Sequence, residues 1–258
     1  MFGGSLLRIY LTGEVAVERG DHLLRDGDLP GRQGRLALVY LVAERERAVT
    51  QAELAELLWP DSLPASWPVA LSAVISKIRQ KLGTLGLDRD RIIANAFRCY
   101  QFRPPADTWI DIEAAADALH QAEGAVVADQ PDAAYGPSLI ATTIARRPFL
   151  TGEDAPWVAG RRERLRDLLV RALDCRVEAL MWNGELALAQ DQARAAVQLE
   201  PFRESGYRRL MQVLVKKGDR AEAVRVYNDC RRLLAEELGV TPSDETESVR
   251  RTLLGSTA

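Results

Sequence analysis

The chain has 258 residues, of which 47% are apolar and 28% charged, and its formal net charge is −3. This is the balance of a globular chain with one or two cores, and it excludes a uniformly basic protein that coats nucleic acid. Three widely spaced cysteines, two separated histidines and no apolar run of about 18 residues give no basis for a disulfide scaffold, a histidine metal site or a membrane span.

The opening stretch MFGGSLLRIYLTGE lacks the basic segment and long apolar core of a secretion signal, so reduced thiols in a cytoplasm are expected. Charge is uneven. Residues 1–105 carry 14 Lys/Arg against 12 Asp/Glu, and residues 106–258 carry 20 against 25. A local basic patch remains possible in the first part, and the asymmetry suggests different partners for the two parts.

In chain order, residues 5–29 read as a meander of three or four short strands, with turn chemistry at Gly20-Asp21 and Asp26-Gly27-Asp28. Residues 33–46 read as a helix, because Leu36, Val39, Tyr40 and Ala43 share a face. Arg32 and Arg35 sit at its start, where positive charge opposes the helix dipole. A solvated terminus and a phosphate contact are both open readings there.

Residues 50–83 predict two helices joined by a Pro-rich loop. Thr50 and Glu53 form a capping-box pair, Leu54, Leu57 and Leu58 share a face, and Trp59-Pro60 ends the first helix. Ser66 is the expected cap of the second, and Pro68 is tolerated in its first turn. Leu71, Val74, Ile75, Ile78 and Leu82 make a narrow apolar stripe, with Ser72, Ser76, Lys77, Arg79, Gln80 and Lys81 off it, and Gly83 stops the helix. A short helix, a loop and a longer helix with a polar, basic outer face is the layout of a DNA-reading helix pair. Residues 91–103 then predict a hairpin turning at Asn95-Ala96, a wing that places Arg98 near its tip.

Pro104-Pro105 cannot continue a strand and marks the expected boundary between residues 1–105 and 106–258. Beyond it the chain reads as helices: residues 108–121, capped by Asp107 or Thr108, then 133–145, a loop, and 157–182. The Arg161, Arg162, Arg164 and Arg166 cluster alternates with Glu163 and Asp167, the pattern of a solvated, salt-bridged face. Leu180, Gly184, Ala189, Ala193 and Ala196 recur 34 residues later as Leu214, Gly218, Ala223, Tyr227 and Cys230, the spacing of tetratricopeptide helix pairs. Tyr207, Leu210, Val213, Leu214 and Tyr227 are assigned to core. Thr241-Pro242-Ser243-Asp244 starts a last helix, with Thr241 as cap. Neither a Walker loop, a nucleophile elbow nor a paired-carboxylate spacing is present, so no catalytic residue, metal ligand or cofactor is predicted.

Over nearly its whole length the chain resembles the SARP-type transcriptional activators of actinobacteria, an OmpR-type winged helix followed by a bacterial transcriptional activation domain. The cues are Gly31-Arg32-Gln33 opening a helix, LAELLWPDSLPAS followed by ALSAVISKIRQKLG, and the ending GDRAEAVRVYNDCRRLLAEELGVTPSDETESV. The recognition helix departs from the family by opening with Trp67-Pro68-Val69-Ala70. The resemblance implies a mainly α fold: an N-terminal α+β winged helix-turn-helix, then an all-α tetratricopeptide-like domain. It implies a DNA-binding activator, cytoplasmic and nucleoid-associated, that binds promoter repeats as a homodimer. It also implies contact with RNA polymerase through residues 60–65 and the acidic helical half, and control of a biosynthetic gene cluster. The residues expected on DNA are Ser72, Ser76 and Lys77 at base edges, and Arg79, Lys81, Arg32, Arg35 and Arg98 at phosphates. The other reading is a helical-repeat scaffold or ligand sensor whose DNA-binding domain is degenerate.

Overall fold

A computed structural model describes residues 6–254. The chain begins with strands β1 (Leu7–Tyr10), β2 (Ala16–Arg19) and β3 (His22–Arg25), then helix α1 (Gly31–Ala43). Strand β4 (Val49–Thr50) leads into α2 (Gln51–Leu58) and α3 (Trp67–Gly83), followed by α4 (Arg89–Ile92), β5 (Ile93–Ala96), β6 (Cys99–Phe102) and β7 (Trp109–Ile110). The remainder is helical: α5 (Asp111–Val127), α6 (Tyr135–Ala145), α7 (Pro156–Trp182), α8 (Leu186–Leu199), α9 (Glu204–Lys216), α10 (Arg220–Leu233), one π turn (Leu234–Leu238) and α11 (Asp244–Leu254). The architecture is mainly α, a winged-helix arrangement followed by helical repeats, as the sequence predicts.

The meander forms as expected. Ile9 lies opposite Val17 and Val17 opposite Leu24, so one face of the antiparallel ladder is apolar and buried. What the sequence does not reveal is β7, a fourth strand parallel to β1 with Ile9 opposite Ile110. Two residues are too few to show a period, and their partner is about a hundred positions away. The helix expected from Thr108 therefore begins at Asp111.

The chain divides into two compact units. The first runs through Glu113 and also takes in Arg147–Arg162; the second comprises Ala114–Arg146 and resumes at Glu163. Pro104-Pro105 does lie just beyond the end of β6, but the division falls elsewhere. The returning segment is stitched into the first unit by a bridge between Thr12 and Phe149, and by the Gly13 N–H donating to the Pro148 carbonyl at 2.7 Å. Trp157 packs on Tyr40 and Phe149 at ring separations of 4.7 and 5.9 Å. Arg161 and Arg162 belong to this stitching rather than to a solvated face. Arg161 pairs with Glu44 at 2.6 Å, and Arg162 donates to the Phe149 and Leu150 carbonyls at 3.0 and 2.6 Å.

In the second unit the repeat has a direct structural counterpart. Leu180 and Leu214 are buried one turn before Gly184 and Gly218, whose φ angles of 78° and 89° lie in the left-handed region. The N–H groups of Glu185 and Asp219 then close back onto the Leu180 and Leu214 carbonyls, both at 2.9 Å. Ala189, Ala193, Ala223 and Tyr227 join Leu180, Leu210, Val213 and Leu214 in one core, and Tyr207 packs with Cys230 and Leu234 in a neighbouring one. Helix α11 is capped by Ser243 rather than Thr241. Its hydroxyl accepts from Thr246 N–H at 3.4 Å, while Glu204 takes the Ser243 N–H at 2.9 Å. A glutamate 39 positions upstream thus decides the cap.

Candidate nucleic-acid interface

Helix α3 has a buried side and an outward side. Leu71, Ile75, Ile78 and Leu82 recur at 4, 3 and 4 and are buried where α3 meets α1, α2 and α4. Val69, Ser72, Ala73, Ser76, Lys77 and Gln80 are exposed on the opposite side. The helix therefore stands on its apolar stripe and offers two hydroxyls, an amide and an ammonium outward. Ser66 occupies the cap position, but its side chain makes no capping bond; its carbonyl accepts the Ala70 N–H at 3.1 Å. Thr50 caps α2 as predicted, accepting from Glu53 N–H at 3.1 Å.

The Glu53 carboxylate takes part in a cluster with Arg47, Tyr40 and Glu44. Arg47 lies 2.5 Å from Glu53 and 3.0 Å from Glu44, and the Tyr40 hydroxyl donates to Glu53. The Arg47 guanidinium holds the Glu53 carboxyl below its ordinary value of 4.5. Burial, with Glu53 beside it, pushes the Tyr40 phenol up to about 12.

Strands β5 and β6 form the wing, with β4 adding a short third strand in the order β4-β6-β5. The turn is Phe97-Arg98, not Asn95-Ala96. Asn95 stays in the strand opposite Tyr100, and Ala96 lies opposite Cys99. Burial of Ile93, Tyr100 and Phe102 sets this register and moves the turn two residues on. Phe97 and Arg98 have φ of 51° and 59°, the left-handed pair of a two-residue hairpin that normally carries Asn-Gly. For a bulky side chain such a conformation costs about 1–2 kcal/mol. The Gln51 N–H, at the start of α2, donates to the Arg98 carbonyl at 2.9 Å and braces the turn.

The structure separates the predicted site residues. Ser72, Ser76 and Lys77 share the outward side of α3, Lys81 is half-buried near its end, and Arg98 is exposed at the wing tip. Arg79 is committed elsewhere: its Nε and Nη2 donate to the Ile93 carbonyl at 3.2 and 2.5 Å, tying α3 to the root of β5. Arg32 and Arg35 converge on Glu153, whose side chain is 1% exposed, at 2.7 and 3.2 Å. Arg35 also pairs with Asp26 at 3.1 Å. The carboxylate is buried and Arg35 is largely covered, while Arg32 pairs with it from an exposed position; neither is the free phosphate contact expected. Glu153 lies more than a hundred residues from either, so no local pattern announces it.

The second hidden group is Asp111, which is fully buried. Its carboxylate accepts the Leu11 and Thr12 N–H groups at 3.0 and 2.9 Å, the Thr12 hydroxyl at 2.7 Å and its neighbour's N–H, from Ile112, at 2.8 Å. Burial pushes its carboxyl above the usual range, against those hydrogen bonds. Among the described residues, no group of three or more His, Cys, Asp or Glu side chains could hold a metal ion, and no helix is long and apolar enough to cross a membrane.

The family model of the bacterial transcriptional activator domain matches residues 110–254, more than half of the chain. The chain belongs to that family. With the winged helix before the activator domain, its architecture is that of SARP-type transcriptional activators. Two relatives are the regulatory proteins AfsR of Streptomyces griseus and Streptomyces coelicolor, 29% and 28% identical over 250 residues. Each alignment covers 96% of this chain and 24% of the relative, so the chain spans about a quarter of their length. A solved structure of Mycobacterium tuberculosis EmbR, in complex with a low affinity phosphopeptide, superposes with a TM-score of 0.88 at 21% identity. It covers 99% of this chain and 66% of that one, and it shows that the two share a fold. The activator domain of this chain contains both 34-residue helix pairs. The matched segment also crosses the division between the units, because residues 147–162 return to the first.

Proposed function

We propose that this SARP-type activator binds duplex DNA through α3 and the wing. The observation that carries the reading is the two-sided α3: an unbroken buried stripe on one side, and Ser72, Ser76, Lys77 and Gln80 exposed together on the other. Such a helix fits the major groove, with Ser72, Ser76 and Lys77 at base edges and Lys81 on a phosphate. Arg98 contacts a phosphate or the minor-groove edge from the wing tip. Arg79 is reassigned as a positioning residue that fixes the angle between helix and wing. Arg32 and Arg35 leave the contact set, because both pair with Glu153 and Arg35 also with Asp26.

So few cations give modest affinity for one copy, which motivates binding of a homodimer to repeated half-sites. Residues 60–65 and the helical second unit are the proposed contacts with RNA polymerase. A groove of about 450 Å³ lined by Val126, Pro131, Met181, Trp182, Arg209 and Lys216 supports a protein-binding role for that unit. The regulated genes are proposed to be a biosynthetic cluster. The second reading, a scaffold or sensor with weak DNA binding, is favoured by the apolar, exposed Val69 at the opening of α3.

The deciding experiment is selection of fragmented genomic DNA on the purified protein at about 150 mM salt, where non-specific binding is weak. Enrichment of a repeated motif, lost with Lys77→Ala, supports the activator reading. A wild-type protein that enriches nothing, even at low salt, refutes it in favour of the scaffold.

A further inference from the structure

The wing tip presents an aromatic ring that the fold does not use. Phe97 is 99% exposed, and its neighbours Asn95, Ala96 and Arg98 are exposed as well. The backbone beneath it is held in the left-handed region at two successive non-glycine residues. Among the described residues the ring is almost wholly exposed, so its packing does not offset that strain, and a persistent unfavourable conformation at an exposed position is a pointer to function. The tip is also braced: Arg98 O accepts from Gln51 N–H, Thr50 pairs with Cys99, and Arg79 anchors the root of β5 to α3. Phe97 stands four residues beyond that anchor, roughly 13 Å along the strand.

The setting identifies the partner. A protein-docking surface has a core of several apolar side chains, whereas here the exposed large apolar side chain of the turn is Phe97, with exposed Arg98 and Asn95 as its neighbours along the chain. A single apolar side chain next to a cation is the equipment of a wedge that enters the minor groove and opens one base step. We infer that Phe97 inserts partly into a base step of duplex DNA, from the minor groove, next to the segment read by α3. Arg98 neutralises the flanking phosphate. The preferred target is a pyrimidine–purine step, TA or CA, because such steps unstack most easily. The wing then reads DNA deformability, a specificity term separate from the base edges facing α3. This inference rests on the DNA-binding reading and deepens it.

The test uses the full chain and a duplex recovered by the genomic selection, with 2-aminopurine placed at successive steps to report unstacking. Phe97→Asn removes the ring and suits the left-handed backbone; Phe97→Leu retains an apolar wedge. The expected result is a fluorescence rise at one step beside the α3 segment. Phe97→Asn abolishes that rise and weakens binding about tenfold, with an unchanged salt slope and a melting temperature at or above wild type. Phe97→Leu falls between the two. If Phe97→Asn binds and unstacks as wild type does while Lys77→Ala weakens binding, the wedge is overturned and DNA recognition by α3 stands. If Phe97→Asn affects only self-association or polymerase recruitment, the ring docks on protein and the wedge is again overturned. If the wild type binds no duplex, both readings fail together.

Discussion

Leu180 and Leu214 occupy one place in two successive helix pairs, each buried beside a left-handed glycine, and each pair is assembled from residues near one another in the chain. Leu11, Thr12 and Asp111 occupy one place in the first unit, yet about a hundred residues separate the carboxylate from the N–H groups it accepts. The second unit is built by local repetition of small and large apolar residues; the first is fastened by a few polar groups across long separations. Repeats spread stability over many similar contacts. A buried carboxylate concentrates it, because each N–H it serves is left unsatisfied when it is removed.

That contrast predicts its largest effect at Asp111. Asp111→Ala should destabilise the first unit by about 4 kcal/mol, since several buried donors lose their acceptor. Fluorescence of Trp59, Trp67, Trp109 and Trp157, all in the first unit, reports this in urea. A loss smaller than that of any repeat mutant would show that the long-range pins are ornamental. Leu214→Ala should cost about 3 kcal/mol, read by far-UV circular dichroism of the helical unit, through lost burial and a residual cavity. Ala223→Leu, at a fully buried repeat position, should cost about 2 kcal/mol by overpacking. If Ala223→Leu is neutral, the small-residue signature of the repeat is not a packing requirement.

On the outward side of the first unit the effects are smaller. Lys81→Ala and Arg98→Ala should each weaken duplex binding by about 1 kcal/mol and reduce the salt slope by about one. Arg32→Ala should leave that slope unchanged and lower stability instead, because its charge serves Glu153. Equal salt effects for Arg32 and Lys81 would return Arg32 to the DNA surface.

The smallest effect concerns pH. Arg47 holds the Glu53 carboxyl below its ordinary 4.5, so its contribution to stability is present above that value and fades as pH falls through the lower, folded one. Wild type should exceed Glu53→Gln in urea midpoint at neutral pH, and the two should converge under acid. Asp111 acts with the opposite sign: burial raises its carboxyl, so protonation at low pH favours the folded state at that position. Divergence of the Glu53→Gln and wild-type curves on acidification would reject the Arg47 assignment.

Legibility in the sequence followed the range of the interaction. The helix pair, the apolar stripe of α3, the left-handed repeat glycines and the arrest of the strand near Pro104 were readable because each depends on residues within about one or two turns. The wing turn was misplaced by two residues, since Asn95-Ala96 is good turn chemistry but burial of Tyr100 and Phe102 governs the register. Of the expected DNA contacts, Ser72, Ser76 and Lys77 could be grouped from helical spacing alone. The tertiary engagements of Arg79, Arg32 and Arg35 could not, because Ile93, Glu153 and Asp26 come from other elements.

By itself, then, the sequence determined the fold class, the succession of the main helices, the repeat period and the polar side of α3, all of which arise from periodicity and local backbone preference. Only the tertiary structure decided that β7 joins β1, that residues 147–162 return to the first unit, and that Arg79, Arg32 and Arg35 are engaged by Ile93, Glu153 and Asp26. Buried carboxylates bind whichever donors the packed chain brings to them, and that choice is made by desolvation in three dimensions rather than by spacing along the chain.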